Sequence, residues 1–138
     1  FDRNRVRRLV VPTLAKALNP AAARHLVEAA GRLREDAACL DALARDHFDA
    51  IARHRADVLV VQAPALAVLP HALAARVALI ALVAAGCDPR RISSRQIDAV
   101  VALASAAPGS SVHLPGRIGA RRRGSLLEFH PCASPGRS

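Results

Sequence analysis

The 138-residue sequence has few aromatic residues, and this scarcity limits the ways in which it could bind a partner. It contains three phenylalanines, no tryptophan and no tyrosine. Proteins that hold single-stranded nucleic acid commonly stack its bases on aromatic side chains. Phe129 is the only aromatic residue near the basic C-terminal segment. Any nucleic-acid contact there should therefore use the backbone and shape of the ligand.

Cysteines and long apolar runs are also scarce. Cys39, Cys87 and Cys132 are odd in number, widely spaced and without a CxxC pair. This pattern favours free thiols in a reducing cytoplasm, with Cys39 and Cys87 packed as small apolar residues. The longest apolar run, residues 77–87, is too short for a membrane-spanning helix, and we expect no signal peptide. We expect a cytoplasmic protein without a membrane segment.

Common catalytic motifs are missing as well. The sequence contains no GxxxxGK[ST], GxSxG, HExxH or GxGxxG. His47 and His54 are about two helical turns apart, too far to hold one metal ion without a third ligand. Catalytic residues cannot be named from this sequence, and we expect neither cofactor-binding residues nor metal ligands within it.

Arginine is what the sequence has in excess. Of its 20 basic residues only Lys16 is a lysine, and the formal net charge is +9. Such a balance favours a polyanionic partner such as nucleic acid, although GC-rich coding also enriches arginine. The charges cluster near both ends of the chain. The first cluster is Arg3, Asn4, Arg5, Arg7 and Arg8, and the second is Arg117, Arg121, Arg122 and Arg123.

Each cluster has a functional and a structural interpretation. Residues 3–8 could form a solvated helix face, but four arginines and an asparagine in six positions suit bidentate binding of phosphate or carboxylate better. Residues 121–123 could contact phosphates, or they could be the charged turn of an edge strand that resists edge pairing. For residues 121–123, the sequence does not decide between phosphate contact and protection of a strand edge.

The pattern after residue 18 predicts one long helix. Asn19 is a good N-cap and Pro20 a good first helical residue. Apolar residues then follow in steps of four and three, which predicts a helix of about 30 residues that packs closely on a neighbour. If this seam is buried, Leu33→Ala or Leu40→Ala should cost about 2–5 kcal/mol. The seam consists of Leu26, Ala30, Leu33, Ala37, Leu40, Ala44, His47 and Ile51.

The rest of the chain predicts a mainly α fold: a helical bundle or hairpin with one long helix, plus a small C-terminal β-meander. Residues 57–61 read as a strand or extended link, Gly86 should end a helix that starts after Pro70, and Ser93 and Gln96 form a capping box. The meander should use residues 111–114, 117–123 and 126–129. We expect a helical domain over 1–107, a β appendage over 108–130 and a flexible tail over 131–138.

The segment FDRNRVRRLVVPTLAKAL resembles the region after the catalytic domain of bacterial tRNA(Ile)-lysidine synthases, which are PP-loop ATPases. That region runs aromatic-x-Arg-Asn-x-(Ile/Val)-Arg, a short spacer, then hydrophobic-Pro-x-Leu. The resemblance continues in order through LREDAACLDALA, PxALAARVALIALVAAG, SxxQIDAVVAL and LPG…ARRRG-x-L. The matching residues of the first segment are Phe1, Arg3, Asn4, Val6, Arg7, Pro12 and Leu14.

This resemblance implies an ATP-dependent ligase. The family adenylylates C2 of the wobble cytidine in isoleucine tRNA, and the ε-amine of lysine then displaces AMP to give lysidine. The ATP site, with Mg²⁺, would be an SGGxDS-type PP-loop in an upstream domain, and this sequence has no such motif. We therefore expect the chain, which begins at Phe1 and not at methionine, to be the tRNA-facing part of a longer protein and to be inactive alone.

The resemblance also implies binding residues and partners. It places Arg3, Asn4 and Arg7 at the catalytic cleft or the anticodon-loop phosphates, with Arg5 and Arg8 as weaker candidates. The implied partners are isoleucine tRNA with a CAU anticodon and the upstream PP-loop domain, and a homodimer stays open. Two alternatives are a stand-alone nucleic-acid-binding module without catalysis and a structural domain that pairs helices through the Leu/Ala seam.

Overall fold

The computed structural model describes residues 2–17 and 19–132, without the side chains of residues 2, 3, 14 and 15. Of the predicted 131–138 tail, residues 133–138 lie outside this range, whereas Pro131 is the last residue of a strand. The chain divides into two compact units, Phe1–Cys39 and Leu40–Ser138.

The first unit is helical. Its elements are α1 (Asp2–Arg5), a π-helical turn (Val6–Val10), α2 (Val11–Ala17) and the first part of α3 (Pro20–Ile51). The π turn precedes Pro12, which has no N–H to donate to the carbonyl four residues earlier, and its ring disfavours regular α geometry there. The predicted cap at Asn19 is confirmed, because its Oδ1 accepts a hydrogen bond from the N–H of Ala21 at 3.1 Å.

Helix α3 has 32 residues, close to the predicted length, but its apolar seam is buried only in part. Leu26 and Leu33 are 52% and 68% exposed, so the predicted burial is wrong at these positions. Further along, Ala44 is fully buried, and Phe48 and Ile51 pack against the core of the second unit. The seam is therefore buried only at positions that pack against the core. The spacing of apolar residues predicts which face of the helix can pack, but it does not predict where a packing partner is present.

The second unit contains a five-stranded antiparallel sheet with the strand order β1-β2-β5-β4-β3. The predicted meander is confirmed and so is the strand near residues 57–61, whereas β1 was not predicted. The strands are β1 (Ala52–Arg55), β2 (Val58–Gln62), β3 (Ser111–Leu114), β4 (Ile118–Arg123) and β5 (Leu126–Pro131). Because β2 pairs with β5, the sheet joins strands from both sides of position 107.

Four helical segments accompany the sheet, and local sequence signals define their ends. They are α4 (Ala63–Ala67), α5 (His71–Ala84), a 3₁₀ turn (Pro89–Arg91) and α6 (Ser94–Leu103). Gly86, at φ +100°, closes α5: its N–H donates to Val83 O at 3.0 Å and the N–H of Cys87 donates to Leu82 O at 3.0 Å. This is a Schellman motif, which favours glycine because of the positive φ. The capping box at Ser93 and Gln96 is confirmed.

One face of the sheet packs against these helices and forms the core. The largest fully buried side chains of the described residues are Phe129, Leu66, Leu82, Leu127, Val61, Val77 and Val100. Since strand residues alternate between faces, the remaining strand positions define an opposite face, here named the outer face. Within residues 2–17 and 19–132, no helix is both long and apolar enough to cross a membrane. The mainly α fold with a long helix and a small C-terminal sheet is confirmed.

Candidate nucleic-acid interface

The outer face of the sheet carries four of the arginines of the second unit's strands. One row runs across all five strands in register, from Arg53 through Val60, Glu128 and Arg121 to Ser111. Arg53 and Arg121 lie three strand spacings apart in this row, so their backbones are separated by about 14 Å. The other arginines of this face are Arg55 and Arg123.

The sheet separates the three consecutive arginines of the second cluster. Arg121 and Arg123 are exposed on the outer face. Arg122 is half-buried on the core side, where its guanidinium donates to the carbonyl of Ala104 and, at 2.6 Å, to that of Gly124. The structure therefore brings Arg121 and Arg123 together and directs Arg122 elsewhere.

The edge-strand interpretation of residues 121–123 does not fit the topology. These residues lie on β4, which is paired on both sides, with β5 and with β3. Glu128 is the acidic neighbour of these arginines. Its Oε1 lies 3.7 Å from Arg123 Nη1, but the arginine side chain is largely exposed, so this carboxylate does not neutralise the basic face. Because exposed ion pairs are weak, this contact leaves Arg123 available to other anions.

Arg53 and Arg55 belong to the outer face and were not predicted as binding residues. They lie two positions apart on β1 and are both exposed. Arg53 also donates from Nη1 to the carbonyl of Asp49 at 2.8 Å, at the end of α3. The sequence signal for this strand was the alternation of Arg53 and Arg55 around His54. We missed it because alanine and arginine are equally compatible with a continuation of the preceding helix.

The first basic cluster lies in the helical unit. Asn4, Arg5, Arg7 and Arg8 are all exposed, and the side chain of Arg3 is outside the described part. Arg7 and Arg8 lie within the π turn. None of the described arginines of this cluster forms an ion pair with another side chain that the structure describes. Their guanidinium groups are therefore accessible to an external anion.

The three cysteines have different environments. Cys87 is buried, as predicted, and burial raises the pKa of its thiol because it disfavours the charged form. Cys39 is exposed on α3, so its predicted packing is wrong. Cys132 is half-buried at the end of β5.

In the described part of the chain, no three His, Cys, Asp or Glu side chains are placed to hold a metal ion. The sequence also contains neither a GxxxxGK[ST] nor a GxGxxG phosphate-binding loop. The exposed guanidinium groups of the first basic cluster and of the outer face form two surfaces that can each bind a polyanion.

Comparison with known proteins shows which proteins this chain is similar to. No family model matches the chain. Among curated proteins, it is 33% identical over 129 residues to the tRNA(Ile)-lysidine synthase of Thermobifida fusca, covering 92% of this chain and 39% of that protein. It is 34% identical over 134 residues to the tRNA(Ile)-lysidine synthase of Salinispora arenicola, covering 96% of this chain and 39% of the relative. The chain is homologous to part of the tRNA(Ile)-lysidine synthases.

The extent of the match agrees with the resemblance seen in the sequence. The tRNA(Ile)-lysidine synthase of Nocardia farcinica is 35% identical over 142 aligned positions, which cover 99% of this chain and 43% of that protein. The chain thus spans about two fifths of the length of the tRNA(Ile)-lysidine synthases that it matches. Both units described above, with both basic clusters, belong to the shared region.

Proposed function

We propose that this chain is the tRNA-binding part of an ATP-dependent tRNA(Ile)-lysidine ligase. The enzyme would attach lysine to the wobble cytidine of isoleucine tRNA with a CAU anticodon and so change its codon reading and aminoacylation identity. The observation that carries this proposal is the 33–35% identity to proteins named tRNA(Ile)-lysidine synthase over nearly the whole chain.

The proposal assigns the chemistry to another part of the protein. The relatives are more than twice as long as the region matched here. We place a PP-loop domain with ATP and Mg²⁺ in that remaining length, since the residues of this chain do not fit these groups: it has no SGGxDS sequence and, as far as it is described, no metal-ligand cluster. No chemical step is assigned to this chain, which would be inactive alone and would work in the cytoplasm.

The outer face supports binding to the tRNA backbone. Arg121 and Arg123 present planar guanidinium groups, which match phosphate oxygens in bidentate geometry. The strand positions of this face carry no Phe, Tyr or Trp, so stacking of bases on these rings is not available there. Recognition would then depend on the position of phosphates and on RNA shape. Arg3, Asn4 and Arg7 would act at the cleft or at the anticodon loop.

Fluorescence anisotropy with labelled isoleucine tRNA would test this binding. The affinity of the chain should fall steeply between about 50 and 200 mM salt, because each phosphate contact releases counterions. The double variant R121Q/R123Q should weaken binding and reduce the slope of log K against log salt by about 2. The matched control R90Q/R91Q removes two exposed arginines from the 3₁₀ turn and should leave most of the slope unchanged.

Lysidine formation by the longer protein separates the alternatives. Arg3→Ala or Arg7→Ala should slow the reaction or weaken tRNA binding without unfolding the protein. If the longer protein forms no lysidine while the chain binds RNA, the stand-alone binding module is the better description. If binding is absent or independent of salt, the structural domain is favoured and the tRNA proposal fails.

A further inference from the structure

A cleft crosses strands β3, β4 and β5 on the outer face. Its volume is about 340 Å³, and the side chains and backbone that line it include His113, Gly119, Arg121, His130 and Cys132. The cleft thus contains a thiol, two imidazoles and a guanidinium group. None of these residues has been needed to explain the fold.

Gly119 makes the space in which these groups meet. A Cβ at this position would lie 3.2 Å from Cys132 Sγ and 3.2 Å from His130 Nε2. Both side chains therefore lie close to the same point above β4, which they can occupy because residue 119 has no Cβ. On the other side, Cys132 Sγ lies 4.0 Å from His113 Nδ1, within reach of a hydrogen bond to sulfur.

The backbone holds Cys132 in this position. Its N–H donates to the carbonyl of Arg117 at 2.6 Å, directly after Pro131 pairs with Ile118. His113 pairs with Gly119, which pairs in turn with His130. Both imidazoles are thus placed by adjacent strands of one sheet, which position side chains better than loops do, and the thiol follows directly after the end of β5.

The cluster combines a thiol with groups that can activate it. Among the described residues no set of three ligands is arranged for a metal ion, and all three cysteines are free thiols. An imidazole next to a thiol can accept its proton, and positive charge nearby favours attack by the resulting thiolate. Arg121 supplies such a charge at the same cleft.

We propose that Cys132 is a reactive thiol that forms a mixed disulfide with small anionic disulfides bound in this cleft. Cys132 Sγ attacks one sulfur of the disulfide, a new S–S bond forms, and the original S–S bond breaks. His113 Nδ1 takes the thiol proton and the leaving sulfur departs as a thiolate. Arg121 attracts the anionic group of the reagent. This proposal does not depend on tRNA binding.

The other two cysteines provide controls within the same molecule. Cys39 is exposed, but Glu35 and Asp36 lie about one turn before it on α3, so its surroundings attract no anion. Cys87 is buried in the core. If exposure alone determined reactivity, Cys39 would react faster than Cys132. If the groups of the cleft activate the thiol as proposed, Cys132 reacts faster than Cys39.

The test measures the reaction of each cysteine in the 138-residue chain. The chain is mixed with 5,5′-dithiobis(2-nitrobenzoate), an anionic disulfide, and in parallel with cystamine, a cationic one, and modified peptides are assigned by mass spectrometry over time. With the anionic reagent, Cys132 should react at least about tenfold faster than Cys39. With cystamine this preference should shrink. Equal rates at Cys132 and Cys39 with the anionic reagent would overturn the proposal.

Three variants then test the individual roles. His113→Gln should lower the rate at Cys132 towards that at Cys39, and Arg121→Gln should remove the preference for the anionic reagent. Gly119→Ala should slow Cys132, because the added Cβ would crowd the thiol and the His130 imidazole and displace them. Cys39 should react at an unchanged rate in every variant, which checks that the fold is intact. An unchanged rate at Cys132 in His113→Gln would exclude the imidazole as the proton acceptor and contradict the proposal.

Discussion

At the residue scale, the surroundings of Arg121, Arg122 and Arg123 differ although the residues are adjacent. The pleat of β4 directs the first and third side chains to the outer face and the second to the core side. On the core side, Arg122 meets two carbonyl oxygens, those of Ala104 and Gly124. Its guanidinium group donates hydrogen bonds to one carbonyl at the end of α6 and to one in the β4–β5 turn. We therefore assign Arg122 a structural role.

This assignment predicts different effects of two similar substitutions. Arg122→Gln removes hydrogen bonds that a charged donor makes to these carbonyls, and it should lower the free energy of unfolding by about 1–2 kcal/mol. Arg121→Gln, the matched control on the outer face, should change it by less than about 0.5 kcal/mol. Urea denaturation followed by circular dichroism measures both values. Equal losses in the two variants would show that Arg122 has no structural role.

At the element scale, helix α3 shows how far a heptad pattern can be trusted. The pattern is regular from Leu26 to Ile51, yet only its second half lies against the core. A pattern of apolar residues determines which face of a helix can pack, because side chains at steps of three and four share one face. It does not determine whether a neighbour is present along the whole face.

The stability of leucine variants should follow burial and not the pattern. Leu82→Ala empties a fully buried site in α5 and should cost about 2–5 kcal/mol. Leu33→Ala in α3 affects a side chain that is mostly exposed and should cost less than about 0.5 kcal/mol. Thermal or urea denaturation of both variants compares the two sites. A large loss at Leu33 would mean that this position is buried in solution, as the sequence pattern first suggested.

At the scale of the whole molecule, burial is distributed unevenly between the two units. Every buried residue among those described lies at Ala44 or later. The second unit combines the sheet with α4, α5 and α6 around one core. Local opening of a protein is easiest where few apolar contacts hold the backbone.

Hydrogen exchange should reveal this difference. Amides in β2, β4, β5 and α5 should exchange at least about tenfold more slowly than those in α1, the π turn and α2. Mass spectrometry of peptides from the exchanged chain gives the rates. Protection of residues 2–17 equal to that of β5 would contradict the uneven distribution, and it would point to contacts that the described residues do not show.

The sequence predicted best those features that depend on a few neighbouring residues. Asn19, Gly86 and the Ser93–Gln96 pair were identified because a cap or a positive φ requires a particular residue within one turn. The strand β1 was missed because its residues have no strong strand preference. They become a strand by pairing with β2, whose apolar, β-branched residues form the more evident partner.

The sequence by itself determined the mainly α fold, the helix ends, the meander and the family resemblance, since these depend on local chemistry and on the order of motifs along the chain. Only the tertiary structure decided which arginines share a surface. It joined Arg53 and Arg55 to Arg121 and Arg123, turned Arg122 to the core side, and brought Cys132 beside His113. These outcomes depend on strand order and register, which place residues that are distant in sequence side by side and neighbours in sequence on opposite faces.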